Sequence, residues 1–464
     1  CGNCLLQETA FMCHMACPKG IRNGPCGGVS NGYCYVDPKR KCVWSLIFER
    51  SRKMHRENRL LEVLPPVDWD RAGKETWGEV IGKIREAGFR RIFLHAGGPD
   101  QGPGRDPVQS EDRDNNRDHN LDHNRGQGRM RGHDIRKNLE ELVFKPIRQP
   151  QWWKGDSEYH PPALTEPQSF LETQLRAGHF VITSEVMPPL GVSADKLSEK
   201  INLVKPFVSA INFTDGSSAI PRMSSIACCS VAVSLGADPV LQISARDNTR
   251  SGLQAQAVGA NTLGVRNVLC LSGDSPRVGP QPRGNLNIID IDSVQMLWIL
   301  RRMRDDGIYL DGRTIKNRPR FFLGAAASPF AQDPLLQVIR DMKKINAGAQ
   351  FFQTNLVFDT DRLDNWLENL DKQQLLDKVF ILVGVTPLKT LHMAHYLNEK
   401  IPGITIPESI MKRMENAGAN ASEEGIRIAV EIIRKLRDKP GISGVHIMPL
   451  GWEAALPQIV SASV

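Results

Sequence analysis

Residues 321–358 read FFLGAAASPFAQDPLLQVIRDMKKINAGAQFFQTNLVF, and this stretch decides the fold. Two apolar runs, 321–328 and 351–358, enclose a segment at 335–347 that has apolar residues at helical spacing. Near-continuous apolar strands that alternate with helices are typical of an α/β protein with a parallel sheet covered by helices. The stretch therefore predicts one strand–helix–strand unit.

The same unit repeats on both sides of this stretch, from about residue 165 to the end of the chain. Six further apolar runs are predicted as strands, at 180–187, 207–214, 239–246, 267–274, 379–386 and 444–451. Further helices are predicted at 194–204, 253–264 and 423–436. Eight units in about 290 residues fit a closed (β/α)8 TIM barrel. An open doubly wound sheet is the alternative, but no Gly-x-Gly-x-x-Gly motif follows a strand.

The first 42 residues differ in composition, because they hold seven of the ten cysteines. The seven are Cys1, Cys4, Cys13, Cys17, Cys26, Cys34 and Cys42. Thiolates bind zinc and iron–sulfur clusters, and seven exceed what one structural zinc site needs. We therefore expect a small Cys-rich metal-cluster domain with at least one [4Fe–4S] cluster, and zinc is the alternative. The remaining cysteines, Cys228, Cys229 and Cys270, are predicted to be buried in the core.

Three regions are predicted along the chain. Residues 1–98 form the Cys-rich module with its following elements, a helix at 43–61 and a helix and short strand at 77–96. Residues 99–164 are predicted to be a largely disordered linker, because most of this tract has too few apolar side chains to form a core. Residues 165–464 form the barrel.

Charge and hydropathy argue against two classes of protein. The net charge of +7 is spread over both signs without interleaved aromatic residues, so no nucleic-acid partner is expected. No apolar run reaches about 18 residues, so no membrane span is expected. No signal peptide is visible, and we expect a cytoplasmic location.

Polar side chains lie at the C-terminal ends of the predicted strands, where a TIM barrel carries its active site. Glu185 lies in the first strand, where burial would raise its pKa and make it a general acid. Gly273 would let a ligand approach the backbone, and Asp274 places a second carboxylate at the rim. Other polar residues at these ends are Thr214, Gln242, Ser272, Gln353, Asn355 and His446. Together they predict a binding site for a polar aromatic ligand.

These residues resemble those of methylenetetrahydrofolate reductase over about 165–464. The resemblance rests on the Glu-Val-Met-Pro-Pro end of the first strand, the Gly-Asp end of the fourth, Lys343-Lys344 before Ala-Gly-Ala, and Thr-Asn before Phe-Asp at 354–359. Residues 1–75 look like the cysteine-rich partner module of the acetogen-type reductases. Their motifs are Cys-Pro-Lys-Gly at 17–20, Asn-Gly-Pro-Cys-Gly-Gly at 23–28 and Asn-Gly-Tyr-Cys at 31–34.

The resemblance implies a flavin, FAD or FMN, at the strand ends and hydride transfer to 5,10-methylenetetrahydrofolate, giving 5-methyltetrahydrofolate. Glu185 matches the family's general acid, and Asp274 matches the acidic residue that faces both the pterin and the flavin. The implied flavin-binding positions are Thr214, Gln242, Ser272, Gly273, Asp274, Lys343 and Lys344. The implied substrate-binding positions are Asp274 and Asn355, the latter in place of a glutamine.

A cysteine-rich module beside a flavin site suggests how electrons reach the flavin. A reductase that uses NADH directly needs no cluster, so the module favours delivery through the cluster from a ferredoxin-like donor, with NAD(P)H as the alternative. We also expect an oligomer or a part of a larger redox complex. Two other functions stay open: a pterin-binding methyl-transfer partner protein without flavin, and a zinc-stabilised non-catalytic scaffold subunit.

Overall fold

The structure, a computed structural model, describes residues 5–6, 8–71, 156–281, 289–331, 333–401 and 403–463. The predicted elements at 77–96 and the predicted linker over 99–155 lie outside the described residues, as do Cys1 and Cys4. None of the described helices combines the length and the apolar character that crossing a membrane requires.

The N-terminal module has little regular structure. A short antiparallel pair joins β1 (Val29–Ser30) to β2 (Tyr33–Cys34), and α1 spans Val43–Lys53. One face of α1 is buried, including Trp44, Ile47 and Phe48. This face packs on Leu60 and on Leu336 of the barrel region, so an apolar contact holds the module on the barrel.

The helix predicted over 43–61 is divided in two. After α1 ends, His55 has a positive φ of 53° and the chain turns into a 3-10 helix over Glu57–Leu61. Leu60 of this second piece joins the same apolar cluster as Phe48. The apolar spacing therefore continues across a break in the backbone, which is why the sequence pattern does not reveal the break.

The eight predicted strands are confirmed, and they form one closed parallel barrel. The strands are β3 (Val181–Val186), β4 (Ala210–Phe213), β5 (Pro239–Ser244), β6 (Asn267–Leu271), β7 (Phe322–Ala327), β8 (Phe351–Leu356), β9 (Phe380–Val385) and β10 (Gly444–Ile447). β10 pairs with both β9 and β3, which closes the ring and removes the open-sheet alternative. The α/β TIM-barrel fold is therefore the observed one.

Helices surround the barrel and cover its outer face. They are α2 (Phe170–Arg176), α3 (Ala194–Val204), α4 (Ser225–Ser234), α5 (Arg250–Thr262), α6 (Ser293–Asp305), α7 (Pro334–Ala347), α8 (Thr360–Lys372), α9 (Leu391–Lys400), α10 (Glu408–Ala417), α11 (Ala421–Arg437) and α12 (Leu456–Ser463). Leu171 and Leu175 of α2 pack on an apolar layer contributed by the starts of the strands. This layer fills the N-terminal end of the barrel, so polar chemistry is left to the other end.

Asn23 binds the module to the C-terminal rim of the barrel. Its side-chain amide donates to Leu64 O at 3.1 Å and to Asp292 Oδ2 at 3.0 Å, and it accepts from Leu64 N at 2.6 Å. The backbone N–H of Arg22 donates to the same Asp292 oxygen at 3.0 Å. Asp292 is the N-cap of α6, so one buried carboxylate both caps a helix and holds the module.

The two glycines that follow Cys26 allow close approaches that a larger residue would block. A Cβ atom on Gly27 would lie 2.7 Å from Ser328 Oγ and 3.1 Å from Arg340 Nη1. A Cβ atom on Gly28 would lie 2.2 Å from the ring of Tyr35. The first glycine therefore brings the module against the rim after β7, and the second makes room for the tyrosine.

Residues 156–164, which fall within the predicted linker, pack on the barrel helices. Asp156 forms a backbone bridge with Val63 of the N-terminal segment. Its carboxylate pairs with Arg301 and accepts from Trp298 Nε1 at 3.3 Å, both on α6. This short segment is therefore tied to the barrel and to the N-terminal segment at once.

Candidate functional site

Glu185 on β3 lies at the C-terminal end of the barrel and is 9% exposed. Burial, together with the negative charge of Glu453, raises the pKa of its carboxyl group to about 7. His446 on β10 approaches it, with Nε2 at 4.0 Å from Oε2. Near neutral pH this carboxyl group can therefore both hold and release a proton, as a general acid must.

A buried hydrogen-bond network fixes the imidazole of His446. Its Nδ1 lies 3.0 Å from Thr183 Oγ1 and 3.4 Å from Gln353 Nε2, and the Gln353 amide is in turn paired with Asn212. Burial lowers the pKa of His446 to about 3, so the ring is neutral. Because the amide nitrogen can only donate, Nδ1 accepts, and the ring proton lies on the Nε2 that faces Glu185.

Glu453 is a site residue that the sequence analysis did not identify. It lies just beyond β10, is buried, and pairs with Lys200 Nζ of α3 at 2.6 Å. The sequence did contain a signal for Glu453, because this residue lies a few positions after the last strand. Asp274 was identified from a similar position after the fourth strand. Glu453 comes near Glu185 because the barrel closes by pairing β10 with β3.

A cavity of about 450 Å³ opens where β4, β5 and β6 end. This volume lies within the usual range for small-molecule sites. Charged groups from both regions of the chain line it, among them Lys19, Asp215, Arg246 and Asp274. The cavity therefore lies between the barrel and the N-terminal module.

The turn that carries Asp274 is packed tightly against its neighbours. Gly273 has φ of 74°, and a Cβ atom there would lie 3.0 Å from Ser244. Asp274 Oδ2 accepts from Ser218 N at 2.8 Å, and the Asp274 carbonyl accepts from Arg246 Nη1 at 3.2 Å. The second predicted carboxylate is therefore held at the wall of the cavity, with Ser272 and Gly273 beside it.

Two hydroxyl groups near this cavity lack partners. Thr214 Oγ1, just after β4, and Ser244 Oγ, at the end of β5, are buried and have no hydrogen-bond partner among the described residues. Gln242 on β5 is also buried. Buried polar atoms in native proteins are almost always satisfied, so unpaired hydroxyls at strand ends fit a ligand that offers hydrogen-bonding groups.

The remaining predicted site residues lie away from the cavity. Lys344 is buried, and its Nζ donates to Ala326 O. Its pKa is lowered, and burial is the main cause. Burial also lowers the pKa of Lys343, to about 8, although the charges of Asp292 and Glu62 oppose this. Both lysines therefore lie against α6, β7 and the N-terminal segment, and the structure does not bring them together with Thr214 and Asp274.

Asn355 occupies a third place on the rim, at β8. Its Nδ2 donates to Ser328 Oγ at 3.2 Å, beside the position where Gly27 of the module meets the barrel. The amide is half-buried and lines neither the cavity nor the Glu185 network. It can therefore meet a ligand only if that ligand extends across the barrel mouth.

Three of the predicted metal ligands, Cys17, Cys26 and Cys42, are near enough to act on one another electrostatically. The pKa of the Cys17 thiol is raised to about 11 by burial, with added effects from Cys26 and Cys42. Burial and the charge of Cys26 also raise the pKa of Cys42. Cys13 is exposed and Cys34 is half-buried. The donor chemistry suits a thiophilic metal or a cluster.

Over the part of the chain that the structure describes, no three His, Cys, Asp or Glu side chains are arranged to hold a metal ion. Two of the seven predicted cysteine ligands lie outside that part. Cys228, Cys229 and Cys270 are buried in the barrel region as predicted, and burial raises the pKa of each.

Comparison with known proteins gives matches to both regions of the chain. The profile of the family described as methylenetetrahydrofolate reductase matches residues 170–464, and the family described as "Methylene-tetrahydrofolate reductase C terminal" matches residues 1–70. Two relatives come from Schizosaccharomyces pombe. Methylenetetrahydrofolate reductase 2 is 23% identical over 219 residues, 44% of this chain and 32% of the relative. Methylenetetrahydrofolate reductase 1 is 24% identical over 230 residues, 48% of this chain and 35% of the relative.

The chain thus spans about a third of the length of these curated relatives. A solved structure of an uncharacterized protein from Clostridium thermocellum, which binds 5-methyl-5,6,7,8-tetrahydrofolic acid, is similar with a TM-score of 0.46 and 14% identity. The match covers 64% of this chain and 98% of that one. The family profile over the barrel covers well over half of the sequence, and the chain therefore belongs to the methylenetetrahydrofolate reductase family.

Proposed function

We propose that this chain reduces 5,10-methylenetetrahydrofolate to 5-methyltetrahydrofolate with a bound flavin, and that electrons reach the flavin through an N-terminal iron–sulfur cluster. The observation that carries the proposal is Glu185, a buried carboxyl group with a pKa of about 7 at the mouth of a barrel of this family. Opening of the five-membered folate ring needs a proton donor that is still protonated near neutral pH. Glu185 meets that requirement.

The fit of a flavin is supported by the residues in and next to the cavity wall. Thr214 Oγ1 and Ser244 Oγ are buried without partners, and Gly273 keeps the backbone after β6 open to a close approach. Flavin rings carry several hydrogen-bonding groups along one edge, which such hydroxyls and backbone amides can satisfy. We assign Thr214, Gln242 and the turn at 272–274 to flavin binding.

A bound flavin would supply hydride, and the protein supplies a proton, a neutral hydrogen-bond donor and one fixed negative charge. Glu185 donates its proton to the ring nitrogen that leaves when the five-membered ring opens. The Nε2–H of His446 then faces the carboxylate that remains, at 4.0 Å, and stabilises its charge. The carboxylate of Asp274 lies on the other side of the mouth and stabilises the cationic iminium form of the substrate.

Cys26 is the cysteine whose surroundings best support an electron route to the barrel. It lies near enough to Lys19 of the module and to Arg340 and Lys344 of α7 to act on all three electrostatically. The neighbouring Gly27 contacts the rim after β7. A cluster that includes Cys26 would therefore lie beside the barrel mouth, with positive side chains around it.

Anaerobically purified full-length protein tests this proposal. We expect flavin and iron–sulfur absorption, both bleached by a reduced ferredoxin, and formation of 5-methyltetrahydrofolate. In a Cys26→Ser variant the flavin should stay bound, whereas its reduction by ferredoxin should slow at least tenfold. Cys228→Ala, which alters a buried cysteine of α4, is the control and should leave this rate unchanged.

Three outcomes would contradict the proposal. A colourless protein that contains zinc would favour the scaffold function. A protein that binds folate without flavin would favour the methyl-transfer function. Flavin reduction by NADH at the same rate with and without Cys26 would remove the cluster from the electron route.

A further inference from the structure

The N-terminal module places one lysine in the wall of the barrel's cavity. Residues 17–20 form a turn in which Gly20 N donates to Cys17 O at 2.9 Å, with a φ of 62° at Gly20. The two central residues of this turn, Pro18 and Lys19, both line the cavity. Lys19 is 6% exposed, so its ammonium group is removed from bulk water and directed toward the barrel.

Tyr35 holds this lysine in place. Lys19 Nζ lies 3.3 Å from Tyr35 Oη and 5.5 Å from the centre of the tyrosine ring. The same hydroxyl accepts from Ser275 N at 3.4 Å, next to Asp274. Gly28 leaves the space that the ring occupies. The tyrosine thus connects the lysine of the module to the turn after β6.

Among the described residues, the positive charge of Lys19 has no paired carboxylate. Arg246, which lines the same cavity, is paired with Asp247 and donates to two backbone carbonyls. Arg222, the other arginine in the cavity wall, donates to Pro188 O at 3.1 Å. No carboxylate of the described residues lies within 4.0 Å of the Lys19 ammonium group, although the charge of Asp274 acts on it. A ligand in the cavity would therefore meet an ammonium group near a carboxylate.

We propose that Lys19 is a cofactor-contacting residue, whose ammonium group lies against the flavin near Asp274 and stabilises the reduced flavin. This inference rests on the proposed function. Reduction adds electrons to the flavin, so a fixed positive charge beside the ring favours the reduced form. The module then contributes to the site in two ways, as an electron route and as a source of this charge.

The charge of Lys19 offsets one of two opposing effects of the Asp274 carboxylate. A carboxylate at the barrel mouth stabilises a cationic substrate, but the same charge opposes the arrival of electrons on a neighbouring flavin. An ammonium group near the same turn offsets the second effect at the flavin. Of the two arginines that the barrel contributes to the cavity wall, Arg246 is already paired with Asp247 and Arg222 donates to Pro188 O.

Redox titration of the full-length flavoprotein with dye mediators tests the inference. In Lys19→Met we expect the ratio of reduced to oxidised flavin at a fixed potential to fall about tenfold, which corresponds to about 30 mV for a two-electron couple. Lys19→Arg keeps the charge and should restore most of that loss. Lys39→Met, which changes an exposed lysine of the same module, should leave the ratio unchanged.

The outcomes separate this inference from the proposed function. An unchanged flavin ratio in Lys19→Met, with flavin and cluster absorption intact, overturns the role of Lys19 and leaves the reductase proposal standing. Wild-type protein that takes up no flavin overturns both. If Lys19→Met no longer binds flavin, the test uses Tyr35→Phe, which removes only the bridging hydroxyl. A lowered ratio of reduced to oxidised flavin in this variant supports the inference, and an unchanged ratio overturns it.

Discussion

At the scale of single residues, Glu185 fixes the expected pH dependence. The protonated carboxyl is the active form, so the rate of methylenetetrahydrofolate reduction should fall as the pH rises through about 7. Glu453→Gln removes the negative charge that disfavours ionisation, and the fall should then begin at lower pH. The measurement is the reoxidation of reduced flavin by substrate in single turnovers from pH 6 to pH 9.

Glu431→Gln is the control for this shift, because Glu431 forms an exposed ion pair with Arg413 on distant helices. Glu431→Gln should leave the pH dependence of flavin reoxidation unchanged. A Glu453→Gln profile identical to that of the wild type would show that Glu453 does not act on Glu185.

Replacing Glu185 separates its chemical role from binding. Glu185→Gln is nearly isosteric but cannot donate a carboxylic proton, and removal of a general acid typically costs about 10²- to 10⁴-fold in rate. We expect that loss in the reduction of methylenetetrahydrofolate, with unchanged reduction of the flavin by its donor. Stopped-flow measurement of the two half-reactions checks this, and an equal loss in both would indicate a structural defect.

Glu185 also links folding stability to pH. Its pKa is about 7 in the folded protein and 4.5 in a model peptide, so the folded state binds the additional proton between these values. The resulting stability is present in full below pH 4.5 and is lost as the pH rises through about 7. Relative to Glu185→Gln, the wild type should lose about 3 kcal/mol of unfolding free energy across this range. Denaturant titrations of both proteins near pH 5 and pH 8 measure the difference, and parallel curves would contradict it.

At the scale of elements, Asp292 joins a helix to the module. It accepts from two amides at the start of α6, in a capping box with Gln295, and also holds Arg22 N and Asn23. Asp292→Ala should therefore cost more than a cap alone, about 3 kcal/mol, since buried donors of the module lose their acceptor. Asp359→Ala removes the cap of α8 and should cost about 1 kcal/mol. Chemical denaturation compares the two, and equal costs would show that Asp292 acts only as a cap.

The strands could be predicted because side chains buried on both faces of a strand are mostly apolar. β7 (Phe-Leu-Gly-Ala-Ala-Ala) and β9 (Phe-Ile-Leu-Val-Gly-Val) are each buried at all but one position, so each appears as a continuous apolar run in the sequence. The end of α1 leaves no such mark. The backbone turns at His55 without a glycine or proline, and the apolar spacing continues into the next element.

At the scale of the whole molecule, the candidate site divides into a predictable and an unpredictable part. Glu185 and Asp274 lie at strand ends, and a barrel brings all strand ends to one face, so their place follows from the fold class. The approach of Lys19 to Asp274 depends on how two regions dock, which no local pattern contains. The positions of Lys343 and Lys344 depend on the same docking, because the N-terminal segment lies over α7.

The described residues of the module contact one side of the barrel rim. Its Asn23 and Gly27 contact the rim after β6 and β7, whereas the strands on the far side of the ring are β10 and β3. The loops after those two strands carry exposed apolar side chains, including Val192 and Leu450. Under the proposed function, electrons arrive on the side of the rim after β6 and β7, and we expect folate to enter on the side that carries Glu185. Electron delivery and folate binding then do not compete for the same side of the barrel mouth. The module can therefore stay docked through every catalytic cycle.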